Sequence, residues 1–242
     1  MGDIVWLTAF LDTDEGGAPE TERFWCAVTG STLSARRGRR DEFATLLPPD
    51  GDPFLRTQTV EQSSPGGLHL DVHSQDVAGL AARAEQLGAT VSYHELGYVV
   101  LGSPGGLTFC IVGGSPGRRP SPARWPDGRS LVDQVCLDIP PSRFDAEVGF
   151  WRRLTGWEQV RTVRSEFARL ARGDGLPLQL LLQRLDDEQP VVTAHLDLCC
   201  DDRDAEVTRH VQLGATGVRR TDGWTTLRDP AGREYCVTDR PC

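Results

Sequence analysis

Short segments that alternate apolar and polar residues run through this chain, and residues 68–73 give the clearest example. Three aliphatic side chains there alternate with His69, Asp71 and His73, so a strand would turn these polar side chains to one face. Similar alternation, or short apolar runs bounded by turn residues, predicts further strands. They cover residues 4–11, 42–47, 54–60, 91–94, 98–101, 107–112, 131–139, 166–171, 178–185, 192–199 and 234–238. The first strand is expected to end at a turn over residues 12–17.

Between the strands, apolar residues recur at helical spacing. In residues 77–87 they follow Asp76, a good N-cap, and precede Gly88, which readily ends a helix. Comparable features predict helices at 19–28 and 141–156 and a helix that ends at Leu213. The order strand, helix, strand, strand, with room for one more strand, therefore occurs twice before residue 113.

The second half of the chain repeats the first at a nearly constant offset. His69 and Asp71 return as His195 and Asp197, an offset of 126 residues (195 − 69 = 126). The same offset relates Leu11-Asp12 to Leu137-Asp138, Phe24-Trp25 to Phe150-Trp151, residues 87–90 to 213–216, 103–106 to 229–232, and Cys110 to Cys236. A constant offset over separate matches is typical of an internal duplication.

Each repeat has the length of an ordinary domain with its own core. Residues 113–128 are dense in Gly, Pro and Ser, which is typical of a linker. We therefore expect domain 1 at 1–113, a linker at 114–128 and domain 2 at 129–242.

The composition argues against two classes of partner. The formal charge is −9, with 35 acidic residues against 26 Lys and Arg, and a nucleic-acid backbone requires a basic surface. No apolar run reaches the length of a membrane span, and we expect no export signal. We therefore expect no nucleic-acid partner and no membrane partner.

The seven cysteines are an odd number without the spacing of a disulfide framework. Reduced thiols in a cytoplasmic protein are the simpler interpretation. A disulfide between the adjacent residues Cys199 and Cys200 would be strained. No cysteine stands in a known nucleophile signature, so we expect structural roles for them.

Four modules of this strand and helix order resemble the vicinal oxygen chelate superfamily, which includes glyoxalase I, bleomycin-resistance proteins and extradiol dioxygenases. The Phe-Trp pairs at 24–25 and 150–151 resemble the pair in that group's first helix, and residues 69–72 and 195–198 resemble its His-bearing strand. Residues 229–233 are similar to its Asp-Pro-x-Gly-Asn turn. The match covers nearly the whole chain outside the linker and is closest to actinobacterial-type glyoxalase-like members.

This resemblance implies an α+β fold of two tandem glyoxalase-like domains. Each domain would be a pair of βαβββ modules that form a cup-shaped mixed sheet with its own cavity. Fold alone does not decide function, because the superfamily contains isomerases, dioxygenases, transferases and binding proteins.

Enzymes of this superfamily hold a divalent metal with a His or Gln from a module's first strand and a Glu from its last strand. The first-strand position falls on Phe10, His69, Cys136 and His195, and the last-strand position on Cys110 and Cys236. Because the expected Glu is absent, we expect no cofactor. The alternative is zinc or another divalent metal on Cys136, His195 and Cys236. Free cysteines are also commonly small buried hydrophobic residues.

His69 and His195 each stand two residues before an aspartate on the same strand face, Asp71 and Asp197. A histidine beside a carboxylate can act as a general base, so these four are the candidate catalytic residues. The alternative is that each histidine hydrogen-bonds within the sheet and has a structural role.

Aromatic residues indicate a binding site. Trp6 and Phe10 share one face of the first strand, and Tyr98 and Trp224 are equivalent in the repeat. With Cys110 they are the candidate ligand-binding residues, because such side chains line apolar pockets that stack a flat ligand. Core packing explains each aromatic residue equally well.

The sequence therefore favours a small-molecule binding protein of the glyoxalase or bleomycin-resistance type, monomeric or homodimeric, without the usual His/Glu metal site. The alternative is a lyase-, isomerase- or dioxygenase-like enzyme that uses a soft metal in domain 2 or metal-free His–Asp chemistry. A structural or regulatory partner protein is a third interpretation.

Overall fold

The computed structural model describes residues 4–61 and 65–242, which form two open mixed sheets with four α-helices among the described residues. Domain 1 contains β1 (Ile4–Thr13), α1 (Ala18–Thr29), β2 (Thr32–Leu33), β3 (Phe43–Leu47), β4 (Leu55–Thr59), β5 (Leu68–Ser74), α2 (Val77–Gln86), β6 (Thr90–Glu95), β7 (Tyr98–Gly102) and β8 (Thr108–Gly113). Its strand order is β2-β3-β4-β1-β5-β8-β7-β6. Two βαβββ modules thus meet at the antiparallel pair of β1 and β5.

Domain 2 repeats this arrangement. It contains β9 (Ala123–Trp125), β10 (Gly128–Ile139), α3 (Phe144–Thr155), β11 (Glu158–Val160), β12 (Phe167–Ala171), β13 (Gln179–Arg184), β14 (Thr193–Cys200), α4 (Arg203–Gln212), β15 (Thr216–Arg220), β16 (Trp224–Arg228) and β17 (Glu234–Thr238). Its order is β11-β12-β13-β10-β14-β17-β16-β15, and β9 pairs with β10 beside this path. The α+β architecture of two tandem domains predicted from the sequence is confirmed.

Alternation along β1 and β5 separates the two faces of the first sheet. Phe10 pairs with His69 and Thr8 with Asp71 across the two strands, so these side chains share the concave face. The intervening aliphatic residues lie on the other face and belong to the hydrophobic core. The corresponding pair in domain 2 is Cys136 and His195. Both histidines therefore lie at the centre of a cup.

The cores of the two domains meet through their helices. Trp25 and Phe24 of α1 pack edge-to-face on Tyr235 of β17, with ring centroids 5.1 and 5.9 Å apart. Trp151 of α3 packs in the same way on Phe109 of β8, at 5.1 Å. Each domain therefore covers part of the other's sheet. No helix in the described part of the chain is long and apolar enough to cross a membrane.

The structure differs from the local sequence predictions in several places. The first strand does not end before Asp12 but continues to Thr13, because β4 pairs with it up to that residue. The short strands β2, β11 and β15 were not predicted individually. The predicted linker, 114–128, contributes β9. The expectation of reduced thiols is wrong for Cys199 and Cys242, which form a disulfide.

Candidate functional site

The concave face of domain 1 encloses a cavity of about 770 Å³. This volume lies within the range of known small-molecule sites. Its lining combines aromatic, cationic, acidic and thiol side chains from seven strands and from the segment between β2 and β3. They include Phe10, Asp12, Arg37, Phe43, Arg56, His69, Asp71, His73, Tyr93, Tyr98 and Cys110.

At the centre of this cavity, His69 lies between two aspartates. Its Nδ1 is 2.8 Å from Asp12 Oδ2, so the ring donates to that carboxylate, and its Nε2 is 3.9 Å from Asp71 Oδ1. The ring of Phe10 stacks on the imidazole, with centroids 4.6 Å apart and planes within 11°. The imidazole is therefore held by one carboxylate and one aromatic face, while Nε2 is directed towards the second carboxylate.

Burial and charge set the protonation of this cluster. Burial alone would lower the pKa of His69, but the hydrogen bond to Asp12 and its negative charge outweigh that effect and raise the pKa. Burial raises the pKa of Asp71 and also that of the Cys110 thiol, whose sulfur lies within 4.8 Å of the Asp71 carboxylate. Burial and the charge of Arg56 lower the pKa of His73 to about 4. His73 is therefore neutral near pH 7, and it hydrogen-bonds to Thr8 at 2.9 Å.

Arg56 gives the cavity an unpaired positive charge. Its guanidinium lies 5.6 Å from the ring centroid of Phe10. Its buried Nε has no hydrogen-bond partner among the described residues, and no ion pair joins Arg56 to a described carboxylate. Burial and then the nearby charge of Arg37 lower its pKa. A half-buried cation without a partner can receive an anionic group from a ligand.

Domain 2 repeats the central cluster with different contacts. His195 Nδ1 lies 2.7 Å from Asp138 Oδ2, and its Nε2 lies 3.3 Å from Asp197 Oδ1 and 3.5 Å from Cys236 Sγ. Burial alone would lower the pKa of His195, but the charge of Asp138 and the neighbouring thiols raise it well above its usual value. Two adjoining cavities, of about 420 and 350 Å³, share His195, Cys236 and Trp224 in their lining.

A family model described as "Glyoxalase-like domain" matches residues 9–112 and again 134–238. The chain belongs to the glyoxalase-like family. Its two matched segments correspond to the two sheets, and the family falls within the vicinal oxygen chelate superfamily that the motifs indicated. A sequence comparison with curated proteins finds no match for this glyoxalase-like protein.

Solved structures of related fold cover almost the whole chain. The Mn(II)-bound glyoxalase from Novosphingobium aromaticivorans is 16% identical, with a TM-score of 0.65 over 98% of this chain and 83% of its own. A variant of homoprotocatechuate 2,3-dioxygenase from B.fuscum is 12% identical, with a TM-score of 0.65 over 100% and 72%. A halotolerant catechol dioxygenase is 16% identical, with a TM-score of 0.58 over 98% and 87%. At these identities the likeness establishes the fold.

One of these structures is a glyoxalase with bound Mn(II), and residues of this chain also form groups that could hold a metal ion. His69, Asp71 and Cys110 place one nitrogen, one oxygen and one sulfur atom within 4.8 Å of one another. Such a mixed set suits a zinc-like ion with an open position better than a hard ion such as Mg²⁺. Asp12 holds the other nitrogen of His69, as carboxylates commonly do behind metal-bound histidines. The residues present therefore fit a soft divalent ion.

The metal set predicted from the sequence in domain 2 is arranged differently. Cys136 groups with Asp138 and His195, whereas Cys236 groups with Asp197 and His195. The two cysteines do not share one group among the described residues. Asp197 Oδ1 is buried and lacks a hydrogen-bond partner within the described ranges, so it remains available as a ligand atom.

The other predicted site residues divide between cavity and core. His69, Asp71, Phe10, Tyr98 and Cys110 line the domain 1 cavity together. His195, Asp197, Cys136 and Trp224 lie around the domain 2 cavities. Trp6 is not brought to either cavity, because it packs beside Gly117 and donates its indole N–H to the Pro53 carbonyl at 3.2 Å.

Sequence reasoning missed three residues of the candidate sites, namely Asp12, Asp138 and Arg56. Asp12 and Asp138 belong to a repeated Leu-Asp pair, and this repetition was a usable signal that both aspartates occupy equivalent places. The turn-prone sequence after Asp12 nevertheless predicts a turn there. Arg56 carried no signal, because its place opposite Phe10 depends on the parallel pairing of β4 with β1.

Proposed function

We propose that this glyoxalase-like protein binds a small planar organic anion in the cavity of domain 1. The observation that supports the proposal most strongly is the unpaired guanidinium of Arg56 beside the ring of Phe10. A carboxylate or phenolate would satisfy the buried Nε–H and the charge together, and planar guanidinium groups recognise such anions well.

The walls of the cavity support a flat ligand. Phe43 packs edge-to-face on Phe10, with ring centroids 6.2 Å apart. Tyr93 and Tyr98, whose ring centroids are 5.8 Å apart, line the same cavity near the other edge of the sheet. Aromatic walls of this kind stabilise a planar ring through stacking and burial. Arg37 adds a second positive charge to the lining. An anion is therefore favoured in this cavity although the whole chain carries a formal charge of −9.

The test uses naphthoate as the probe and naphthamide as its neutral counterpart, in thermal-shift and calorimetric titrations. Naphthoate is expected to bind and naphthamide to bind at least about tenfold more weakly, because the amide leaves the guanidinium unpaired. Arg56→Gln should remove the preference for the anion. Arg184→Gln is the matched control, since Arg184 lies over Phe144 at 5.9 Å but outside both cups. Equal binding of the two probes would refute the proposal.

A second function is supported by the Asp12–His69 pair. Asp12 holds Nδ1, so Nε2 is the nitrogen available to take a proton from a bound carbon acid. In a metal-dependent form of this function, Nε2 would instead bind a divalent ion together with Asp71 and Cys110, and the ion would polarise the carbonyl group of such a ligand. The corresponding test is deuterium exchange at the methylene group of phenylpyruvate, followed by NMR. Catalysis is supported if exchange is faster than in buffer alone, if His69→Asn abolishes this acceleration and if His94→Asn retains it. Exchange at the rate measured in buffer alone would contradict catalysis.

A further inference from the structure

Four arginines and one buried aspartate form a group near the ends of β12 and β17, which we call the arginine cluster. Asp133 lies at the bulge where β10 shifts its register against β14, and its side chain is buried. Arg240 donates to Asp133 Oδ2 and Oδ1 at 2.8 and 2.7 Å, and Arg172 donates to the Asp133 carbonyl oxygen at 3.3 Å. Arg119 and Arg169 complete the cluster, because the charges of both act on Arg172.

The positive charge of this cluster is not balanced. The carboxylate of Asp133 is bound by Arg240, and within residues 4–61 and 65–242 no ion pair joins Arg119, Arg169 or Arg172 to a carboxylate. The buried Nε of Arg119 also lacks a hydrogen-bond partner in this part of the chain. Burial and then the charge of Arg119 lower the pKa of Arg172. Half-buried cations that repel one another are stabilised by an anion that lies between them.

The arginine cluster opens onto a cavity with an aromatic wall. Arg169 and Arg240 line the cavity of about 350 Å³ in domain 2, together with Trp224. Trp224 pairs with Thr238, which stands two residues before Arg240, so about 6.6 Å of extended chain separates the indole from the arginine. Phe167 packs edge-to-face on the indole, with ring centroids 5.8 Å apart. One small molecule can therefore contact both an aromatic ring and a guanidinium group.

Arginines outnumber carboxylates in the lining of this cavity. Arg164 joins Arg169 and Arg240 there, against Asp197 and Asp222. Asp197 pairs with a residue four positions before Arg240, so it lies towards the other end of the sheet. The end of the cavity beside the arginine cluster is therefore the end that favours an anion.

The cluster is present in only one copy of the duplication. Gly114 corresponds to Arg240 at the repeat offset (240 − 114 = 126), and Thr45 of β3 occupies the place that Arg169 has in β12. Arg119 comes from the segment between the two matched repeats. The arginine cluster is therefore separate from the anion site proposed for domain 1.

We propose that the arginine cluster binds a phosphate group and that the adjoining cavity of domain 2 receives the ring of the same molecule, an aryl phosphate. A phosphate monoester carries a charge of about −1.5 to −2 near pH 7 and three acceptor oxygens, so it can satisfy two or three arginines together. The guanidinium fork suits phosphate oxygens well. A carboxylate carries one negative charge and leaves more of the cluster unbalanced.

The experiment is a calorimetric titration of the full chain with 1-naphthyl phosphate and 1-naphthoate at about pH 7.5, where the phosphate is mostly a dianion. It uses the Arg56→Gln variant, so that the domain 1 cavity has lost the cation that would bind either anion. Naphthyl phosphate is expected to bind at least about tenfold more tightly than naphthoate, because it makes more charge-assisted hydrogen bonds. Inorganic phosphate should compete with it.

Further variants in the same background locate the phosphate group. Arg169→Gln and Arg172→Gln should each weaken the binding of naphthyl phosphate at least about tenfold, since each removes a charged hydrogen-bond donor. Arg169→Lys keeps the charge and should retain more affinity than Arg169→Gln. Arg184→Gln is the control and should bind as its parent does, because Arg184 lies over Phe144 on the other side of its strand. Circular dichroism establishes that each variant is folded.

Three results would overturn the proposal. The first is equal binding of naphthyl phosphate and naphthoate to Arg56→Gln. The second is unchanged affinity for naphthyl phosphate in folded Arg169→Gln and Arg172→Gln. The third is binding of naphthyl phosphate to the wild type that Arg56→Gln abolishes, which would place the phosphate in domain 1 and leave the function proposed for that domain intact.

Discussion

The indole N–H of Trp25 in domain 1 donates a 2.9 Å hydrogen bond to Asp229 in domain 2. The equivalent indole in the repeat, Trp151, bonds instead to Glu147 of its own helix at 2.8 Å, and Glu147 in turn accepts from Ser103 of domain 1. Both tryptophans thus donate to a buried carboxylate where the two domains meet. The carboxylate bonded to Trp25 belongs to a turn, and the carboxylate bonded to Trp151 belongs to the same helix as the tryptophan. The duplication retained the contact and changed the element that supplies the acid.

Trp25→Phe should destabilise the whole protein, because it removes the hydrogen bond and leaves one lone pair of the buried Asp229 unsatisfied. The expected loss is about 1–3 kcal/mol in the free energy of unfolding, measured by urea denaturation. A double-mutant cycle with Asp229→Asn isolates the pair. Additive losses in that cycle would mean that the hydrogen bond contributes nothing.

The Asp12–His69 pair should contribute more to stability than its counterpart Asp138–His195. The side chains of the first pair are 3% and 9% exposed, and those of the second are 20% and 14% exposed. Breaking a buried pair costs about 3–5 kcal/mol, and solvent reduces that cost. Asp12→Ala is therefore expected to lower the unfolding free energy more than Asp138→Ala. Equal losses, or a larger loss for Asp138→Ala, would contradict this order.

Glu206 of α4 should make the protein sensitive to acid. Burial would raise its pKa, but hydrogen bonds from Arg209 at 2.6 Å and His210 at 3.0 Å outweigh burial and lower the pKa to about 2. Because the folded-state pKa is below the unfolded value, the stabilisation is present above about pH 4.5 and is lost as pH falls towards 2. The shift corresponds to about 3 kcal/mol.

Urea denaturation of Glu206→Gln at about pH 6 and about pH 3 tests this dependence. The variant should be less stable than the wild type at the higher pH and should lose less stability on acidification. Glu234→Gln is the control, because Glu234 pairs with Arg228 at the surface, where ion pairs contribute little. Parallel losses of stability in the wild type and Glu206→Gln would rule out the role of Glu206.

The Cys199–Cys242 disulfide should stabilise domain 2 by closing a loop between residues 43 positions apart. Cys242→Ser is expected to cost about 2–4 kcal/mol under oxidising conditions. A reducing agent should bring the wild type to the stability of the variant, whereas Cys26→Ser should keep the wild-type response. Peptide mapping without reduction identifies the bridge directly, and free thiols at both positions under oxidising conditions would show that it does not form.

Sequence patterns alone identified the duplication, the order of strands and helices in each module, and the residues that share one face of each central strand. Side chains along a strand alternate with a period of two, so His69 and Asp71 were assigned to one face without any tertiary information. The constant offset then implied the same geometry for His195 and Asp197. These predictions succeeded because they depend on neighbours within a few residues or on repetition along the chain.

The partners of those histidines depended on contacts between distant residues. Asp12 stands in a turn-prone sequence, yet β1 continues through it because β4 supplies ladder partners and His69 supplies a partner for the buried carboxylate. Arg56 reaches Phe10, and Cys236 reaches His195, only through the registers of neighbouring strands. Similar motifs therefore gave two cavities with different chemistry, since strand register and the docking of helices between domains are set by packing across the whole chain rather than by any local pattern.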